Sequence, residues 1–214
     1  MPHSALIKRI QDIGVILIVR THSPQEVLEG VRAAVEGGLK AVEVTSNVPG
    51  APGVLREIRR ALGDEIVLGA GTILRAEDAE DAVDAGAQYL VAPNVDDKVI
   101  GMAKRLKVAV FPGAFTPTEV ARAWDLGADA VKVFPASVGG PAYIKAIRAP
   151  LPNIPLIPTG GVNQSNVGDY LNTGALAVGV GGSLFDLQKV KAHDWKGITD
   201  TARRFMAAVQ TARS

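Results

Sequence analysis

The stretch Asp125-Leu126-Gly127-Ala128-Asp129-Ala130-Val131-Lys132 is one of four in the chain with the same layout: a helix end, a glycine, and an apolar run rich in β-formers. The others are Glu36-Gly37-Gly38-Leu39-Lys40-Ala41-Val42-Glu43, Asp84-Ala85-Gly86-Ala87-Gln88-Tyr89-Leu90-Val91 and Asn172-Thr173-Gly174-Ala175-Leu176-Ala177-Val178-Gly179. In each, the glycine suits the position just past a helix, where a left-handed backbone carries no Cβ penalty. A helix stop that leads at once into a strand, four times over, predicts a repeating β/α unit.

Working outward, short apolar runs recur at 14–20, 40–45, 66–71, 88–93, 108–112, 130–135, 155–159 and 176–181, with helical patterns between them. Ser23-Pro24-Gln25-Glu26 reads as a helix start, with Ser at the N-cap, Pro at the first helical position and Glu two further on. Thr116-Pro117-Thr118-Glu119 repeats that signal. Strands that alternate with single helices imply parallel pairing and right-handed crossovers, and their nearly continuous apolar character implies burial on both faces. The expected architecture is a single (β/α)8 TIM barrel domain over residues 1–214, with an N-terminal helix. A C-terminal amphipathic helix over 193–214 (Trp195, Ile198, Ala202, Phe205, Met206, Val209) should cover the barrel wall or bottom.

The four glycine units fall on the second, fourth, sixth and eighth strands, and interior layers of such a barrel draw their side chains from alternate strands. Five residues past each glycine stand Glu43, Val91, Lys132 and Gly179, a candidate layer. Two residues further lie Thr45, Pro93, Phe134 and Gly181. An acid and an amine from opposite strands should therefore face each other, and the two glycines of the eighth strand should leave empty volume beside them. That volume reads as a pocket opening to the C-terminal mouth, where barrel enzymes place their sites.

Composition narrows the classes. The 214 residues are 47% apolar and 21% charged with a net charge of +1, which fits a soluble globular protein and gives no electrostatic case for nucleic acid. No apolar run approaches the roughly 18 residues a membrane span needs, and Met1-Pro2-His3-Ser4 lacks the layout of a secretory signal, so a cytoplasmic setting is expected. There is no cysteine, and His3, His22 and His193 lie too far apart for a histidine metal motif; all three are expected at the surface and no metal is expected.

Lys132 and Glu43 interrupt runs that otherwise read as strand interior. Burying a lysine is costly: moving its pKa from about 10.4 to about 7.5 represents roughly 4 kcal/mol of destabilised charge. The plain alternatives are a lysine that snorkels outward, or a Glu43 that serves only as buried counter-ion to Arg20 or Lys132. The chemical reading is a neutral amine that adds to a carbonyl and, as an iminium, serves as an electron sink, with a carboxylate nearby to move protons. Arg20 closes the first strand and Thr72 follows the third, so a guanidinium and a hydroxyl at the mouth suit a substrate carboxylate. Pro158-Thr159-Gly160-Gly161-Val162-Asn163 and Gly179-Val180-Gly181-Gly182-Ser183 end the last two strands. Their amides can approach a phosphate, and a short helix expected to start near Ser183 would aim its positive end there.

Taken with Glu43-Val44-Thr45, Gly69-Ala70-Gly71-Thr72, Phe111-Pro112-Gly113 and Val131-Lys132-Val133-Phe134-Pro135-Ala136, these motifs resemble the 2-keto-3-deoxy-6-phosphogluconate / 4-hydroxy-2-oxoglutarate aldolase family. The likeness covers most of the chain. It implies class I cleavage of 2-keto-3-deoxy-6-phosphogluconate to pyruvate and glyceraldehyde 3-phosphate, through a covalent Schiff base, without a metal and in a homotrimer. The resemblance makes Lys132 the Schiff-base lysine and Glu43 the acid/base. Thr72 takes the pyruvate carboxylate, Phe134 and Pro93 wall the pocket, and Gly161, Gly182 and Ser183 cradle phosphate, beside Thr159, Gly160 and Gly181. Many members carry an arginine two residues past the Thr of Glu-Val-Thr, where this sequence has Asn47. Some relatives end the first strand with arginine instead, as Arg20 does here, and the 2-keto-3-deoxy-6-phosphogalactonate aldolases show an asparagine in this region. The galactonate substrate is thus the alternative, a sugar-phosphate epimerase and a non-catalytic sugar-phosphate-binding barrel being the readings from other classes.

Overall fold

The protein is described here by a computed structural model covering residues 3–213. Met1, Pro2 and the final residue of the expected C-terminal helix, Ser214, lie outside the described residues. All four unit glycines adopt the left-handed backbone: φ is +100° at Gly38, +102° at Gly86, +96° at Gly127 and +81° at Gly174.

The strand segments are β1 (Val15–Val19), β2 (Ala41–Thr45), β3 (Val67–Gly71), β4 (Tyr89–Val91), β5 (Ala109–Phe111), β6 (Gly113–Ala114), β7 (Val131–Val133), β8 (Leu156–Pro158) and β9 (Val178–Val180). Every pairing is parallel: one sheet runs β5-β4-β3-β2-β1-β9, the other β6-β7-β8, and a parallel bridge between Thr159 and Gly179 brings β8 beside β9. The result is an α/β fold around a curled parallel sheet.

Where one fifth strand was expected, the chain forms two short segments, because Pro112 has no N–H to donate to a ladder. Phe111 pairs backward with β4, whereas Gly113 pairs forward with Lys132, so the chain changes partners across the proline.

The helices are α1 (His3–Ile13), α2 (Val27–Glu36), α3 (Ala51–Leu62), α4 (Ala76–Asp84), α5 (Asp97–Leu106), α6 (Pro117–Asp125), α7 (Gly140–Arg148), α8 (Val167–Leu171), α9 (Leu187–Lys191) and α10 (Trp195–Arg213). None among the described residues is long and apolar enough to cross a membrane. At α6 the capping box forms: Thr116 Oγ1 accepts from Glu119 N at 3.3 Å and the Glu119 carboxylate accepts from Thr116 N at 2.7 Å. At Ser23 it does not. The Ser23 N–H, which Glu26 should have bonded, donates to Thr21 Oγ1 at 3.0 Å, and residues Pro24–Glu26 form a 3-10 turn before α2. Glu26 lies instead 3.7 Å from His193.

α1 lays Leu6 and Ile10 against Ile16, Ala41 and Val67, filling the sheet interior at the N-terminal ends of the strands. Each such side chain stabilises the fold by about 1.5–3 kcal/mol. His3, expected at the surface, is half-buried there and hydrogen-bonds Asp129 at 3.0 Å. The amphipathic tail becomes α10, packed on α2 and α8 along the outer wall, with Thr199 Oγ1 donating to Ala33 O at 2.9 Å. With one end of the interior plugged by α1, ligand access is left to the C-terminal ends of the strands.

Candidate active site

Glu43 sits in the middle of β2 and Lys132 in the middle of β7, where side chains alternate between the helical shell and the interior. Both point inward and are buried, at 2% and 7% exposure. Glu43, Val91, Lys132 and Gly179, the expected layer, together border one void of about 10 Å³, completed by Ile16, Phe111, Ile157 and Thr159. No hydrogen bond or ion pair joins Glu43 to Lys132 among the described residues, and Glu43 Oε1 is buried without a hydrogen-bond partner. Burial raises the Glu43 carboxyl above its ordinary pKa, against the opposing pull of Lys132 and Arg20. A carboxyl so placed can hold a proton or release it next to an amine. Lys132 Nζ stands 5.1 Å from the ring centroid of Phe134, within cation–π range.

Above this pair opens a cavity of about 530 Å³ lined by Lys132, Phe134, Arg20 and the two glycine-rich loops. Of the expected site residues, Arg20, Lys132, Phe134, Thr159, Gly160, Gly161, Gly181, Gly182 and Ser183 line it. Glu43 borders the deeper void instead. Thr72 and Pro93 stand outside the cavity lining. Thr72 is a non-glycine residue with φ +59°, held by Ser46 Oγ donating to its carbonyl at 2.7 Å, and its hydroxyl accepts from Arg20 Nη2 at 3.4 Å. It therefore meets the cavity through Arg20. Pro93 follows the end of β4, and its carbonyl crowds Gly113, where an added Cβ would lie 2.3 Å away.

The expected empty volume at the last strand is half right. Beside Gly179 the space is already taken, a Cβ there falling 2.4 Å from Thr159 Oγ1; beside Gly181 the nearest atom is Ile18 O at 3.9 Å. Gly160 and Gly161 turn left-handed in succession, with φ +97° and +74°. Asn166 Nδ2 donates to Gly161 O at 3.0 Å, and Ser183 Oγ donates to Val162 O at 2.7 Å, tying the two loops into one rigid rim. Among the described residues the N–H groups of Gly161, Gly182 and Ser183 have no partner in the protein. Such a concentration of free donors suits an anion. The helix expected near Ser183 begins later, at Leu187, because Asp186 caps it by accepting from Gln188 N at 2.8 Å; residues 182–184 are turn.

Several residues on the site were not singled out from sequence. Ile18, Asn163, Phe185 and Leu187 line the cavity, Ile18 being legible as the residue two before Arg20 on the same strand face. Tyr89, on β4, is wholly buried with its hydroxyl donating to Val42 O at 2.8 Å, and both burial and the Glu43 charge push its pKa well above 10.0. Lys145, in the helical run Tyr143-Ile144-Lys145-Ala146-Ile147, is exposed on α7.

This arrangement has close counterparts. The chain is 37% identical over 174 residues to 2-dehydro-3-deoxy-6-phosphogalactonate aldolase of Escherichia coli, covering 81% of this chain and 85% of that protein. It is 31% identical over 206 residues to 2-dehydro-3-deoxy-phosphogluconate aldolase of Treponema pallidum, covering 95% and 97%. The structure superposes, with a TM-score of 0.86 and 26% identity over 95% of this chain and 97% of the other, on KDPG aldolase from Legionella pneumophila with pyruvate captured as a covalent carbinolamine intermediate. Residues 6–201 match the family described as KDPG and KHG aldolase, and on these grounds the chain belongs to that family of lyases.

Proposed function

We propose that this protein is a class I aldolase that cleaves 2-keto-3-deoxy-6-phosphogluconate to pyruvate and glyceraldehyde 3-phosphate, working as one closed (β/α)8 barrel. The observation that carries the reading is the buried amine and carboxyl on one void beneath a cavity rimmed by free backbone donors. The Lys132 amine adds to the C2 carbonyl of the bound keto acid, and loss of water leaves an iminium. Glu43, as carboxylate, takes the proton of the C4 hydroxyl while the C3–C4 bond breaks and its electron pair enters the iminium. The resulting enamine is protonated at C3, and hydrolysis returns pyruvate and the free lysine. Arg20 and Thr72, 3.4 Å apart, offer a guanidinium and hydroxyl to the substrate carboxylate, and the loops at Gly161 and Gly182 hold the phosphate. The carbinolamine trapped in the Legionella relative supports the covalent route, with no metal called for.

The galactonate epimer is the second reading, favoured by the 37% identity to the Escherichia coli galactonate enzyme and by Asn47. Both substrates place the same groups at C1, C2 and the phosphate and differ at one hydroxyl-bearing carbon, a difference a single polar contact can discriminate. Pyruvate release measured side by side on both phosphohexonates and on 4-hydroxy-2-oxoglutarate decides among them. Release from none of the three would leave a ligand-binding barrel without turnover. The homotrimer that the resemblance implies is tested by light scattering.

A further inference from the structure

Two of the five residues of β3, Gly69 and Gly71, lack side chains on the interior face, and neither has a left-handed backbone that would require glycine. Space is the requirement. A Cβ on Gly71 would lie 1.8 Å from Glu43 Oε1 and 2.5 Å from its Cδ. A Cβ on Gly69 would lie 2.3 Å from the ring of Tyr89. The sheet register explains both: Gly69 is the cross-strand partner of Glu43 on one side and of Tyr89 on the other, and Gly71 is partner to Thr45, one pleat above. The Glu43 carboxyl thus leans over Gly71 while the Tyr89 ring, stacked on Phe111 at 5.2 Å, fills the place over Gly69.

We propose that Gly71 is the positioning residue of the acid: the missing side chain is the seat that keeps the Glu43 carboxyl to one side of the void and out of direct contact with Lys132. The inference rests on Glu43 being the acid/base of the proposed reaction. The charged or titratable groups around Glu43 are Lys132 from β7, Arg20 at the end of β1 and Tyr89 from β4. With Tyr89 occupying the neighbouring place, a methyl group at position 71 leaves the void shared with Lys132 as the way open to the carboxyl. Pressed toward the amine, the carboxyl forms an ion pair that ties up both groups at once.

The test compares Gly71→Ala with Glu43→Gln on steady-state cleavage of whichever phosphohexonate the wild type turns over. The expected result for Gly71→Ala is a kcat at least tenfold lower with KM within about twofold. The limb of its pH profile that reports Glu43 should move to lower pH, since a nearer cation favours the carboxylate. An unchanged kcat and profile in Gly71→Ala, with Glu43→Gln inactive, overturns the seat and leaves the acid/base role standing. Full activity in Glu43→Gln removes the acid/base role itself. Should Gly71→Ala fail to fold, the same substitution in a Glu43→Ala background is expected to fold with the thermal midpoint of Glu43→Ala alone; failure there too would show that the glycine serves something other than the acid, and would end the proposal.

Discussion

Glu43 and Lys132 border the same void from β2 and β7 without forming an ion pair. Two buried ionisable groups left this close and unjoined lower stability, because neither recovers the hydration it loses. They are the features through which the fold can carry covalent chemistry.

The amine can be caught directly. Incubation with pyruvate and borohydride should leave one reduced adduct, and peptide mass mapping should place it on Lys132; an adduct on Lys145 or none at all contradicts the covalent route. Lys132→Met should abolish turnover while stability stays equal or rises, since it removes a desolvated amine.

Glu43→Gln should lower kcat by about 10²–10⁴-fold, the usual contribution of a positioned proton carrier. Its effect on stability has a defined sign. Burial holds the Glu43 pKa above the ordinary 4.5, so the folded protein binds that proton more tightly than the unfolded chain does. The associated stability is present below pH 4.5 and is lost as pH rises through the folded-state pKa. The melting temperature of Glu43→Gln relative to wild type should therefore climb as pH is raised from 4.5; a difference that is flat with pH contradicts the raised value.

Gly182 tests the phosphate rim without disturbing the fold, because an added Cβ meets no atom within 4 Å. Gly182→Ala should melt like the wild type yet raise KM for a phosphohexonate about tenfold, equivalent to about 1.4 kcal/mol of lost binding. The KM for unphosphorylated 4-hydroxy-2-oxoglutarate should not change. Equal effects on both substrates would place the phosphate elsewhere.

Outside the cavity lining, Thr116→Ala removes the cap of α6 and should cost about 1 kcal/mol, or about 2–4 °C in melting temperature for a chain of this size. Its kcat should be unaltered. Hydrogen bonds from the Thr116 and Phe115 backbone hold the Glu119 carboxyl below its ordinary pKa of 4.5. That contribution is present above pH 4.5 and is lost as pH falls through the lowered value, so Glu119→Gln should flatten the acid side of the stability curve.

The order of strands and helices, the four glycine stops, the capping box at Thr116 and the inward pair Glu43 and Lys132 were all legible in the linear chain. Each depends on neighbours within a few residues: a left-handed backbone after a helix, a hydroxyl three residues from a carboxyl, a two-residue alternation along a strand. Competition among neighbouring groups for one hydrogen bond, and contacts between residues far apart in sequence, were decided only by the folded structure. Thr21 took the N–H that Ser23-Pro24-Gln25-Glu26 needed for its cap, Pro112 split a strand between two partners, and the Asp186 cap moved a helix start away from Ser183. Thr159 filled the space beside Gly179, and Thr72 was drawn back so that it meets the cavity through Arg20. Local backbone preference determines where elements begin and which face a side chain takes, whereas which atoms compete for one hydrogen bond or one volume depends on what the fold brings beside them.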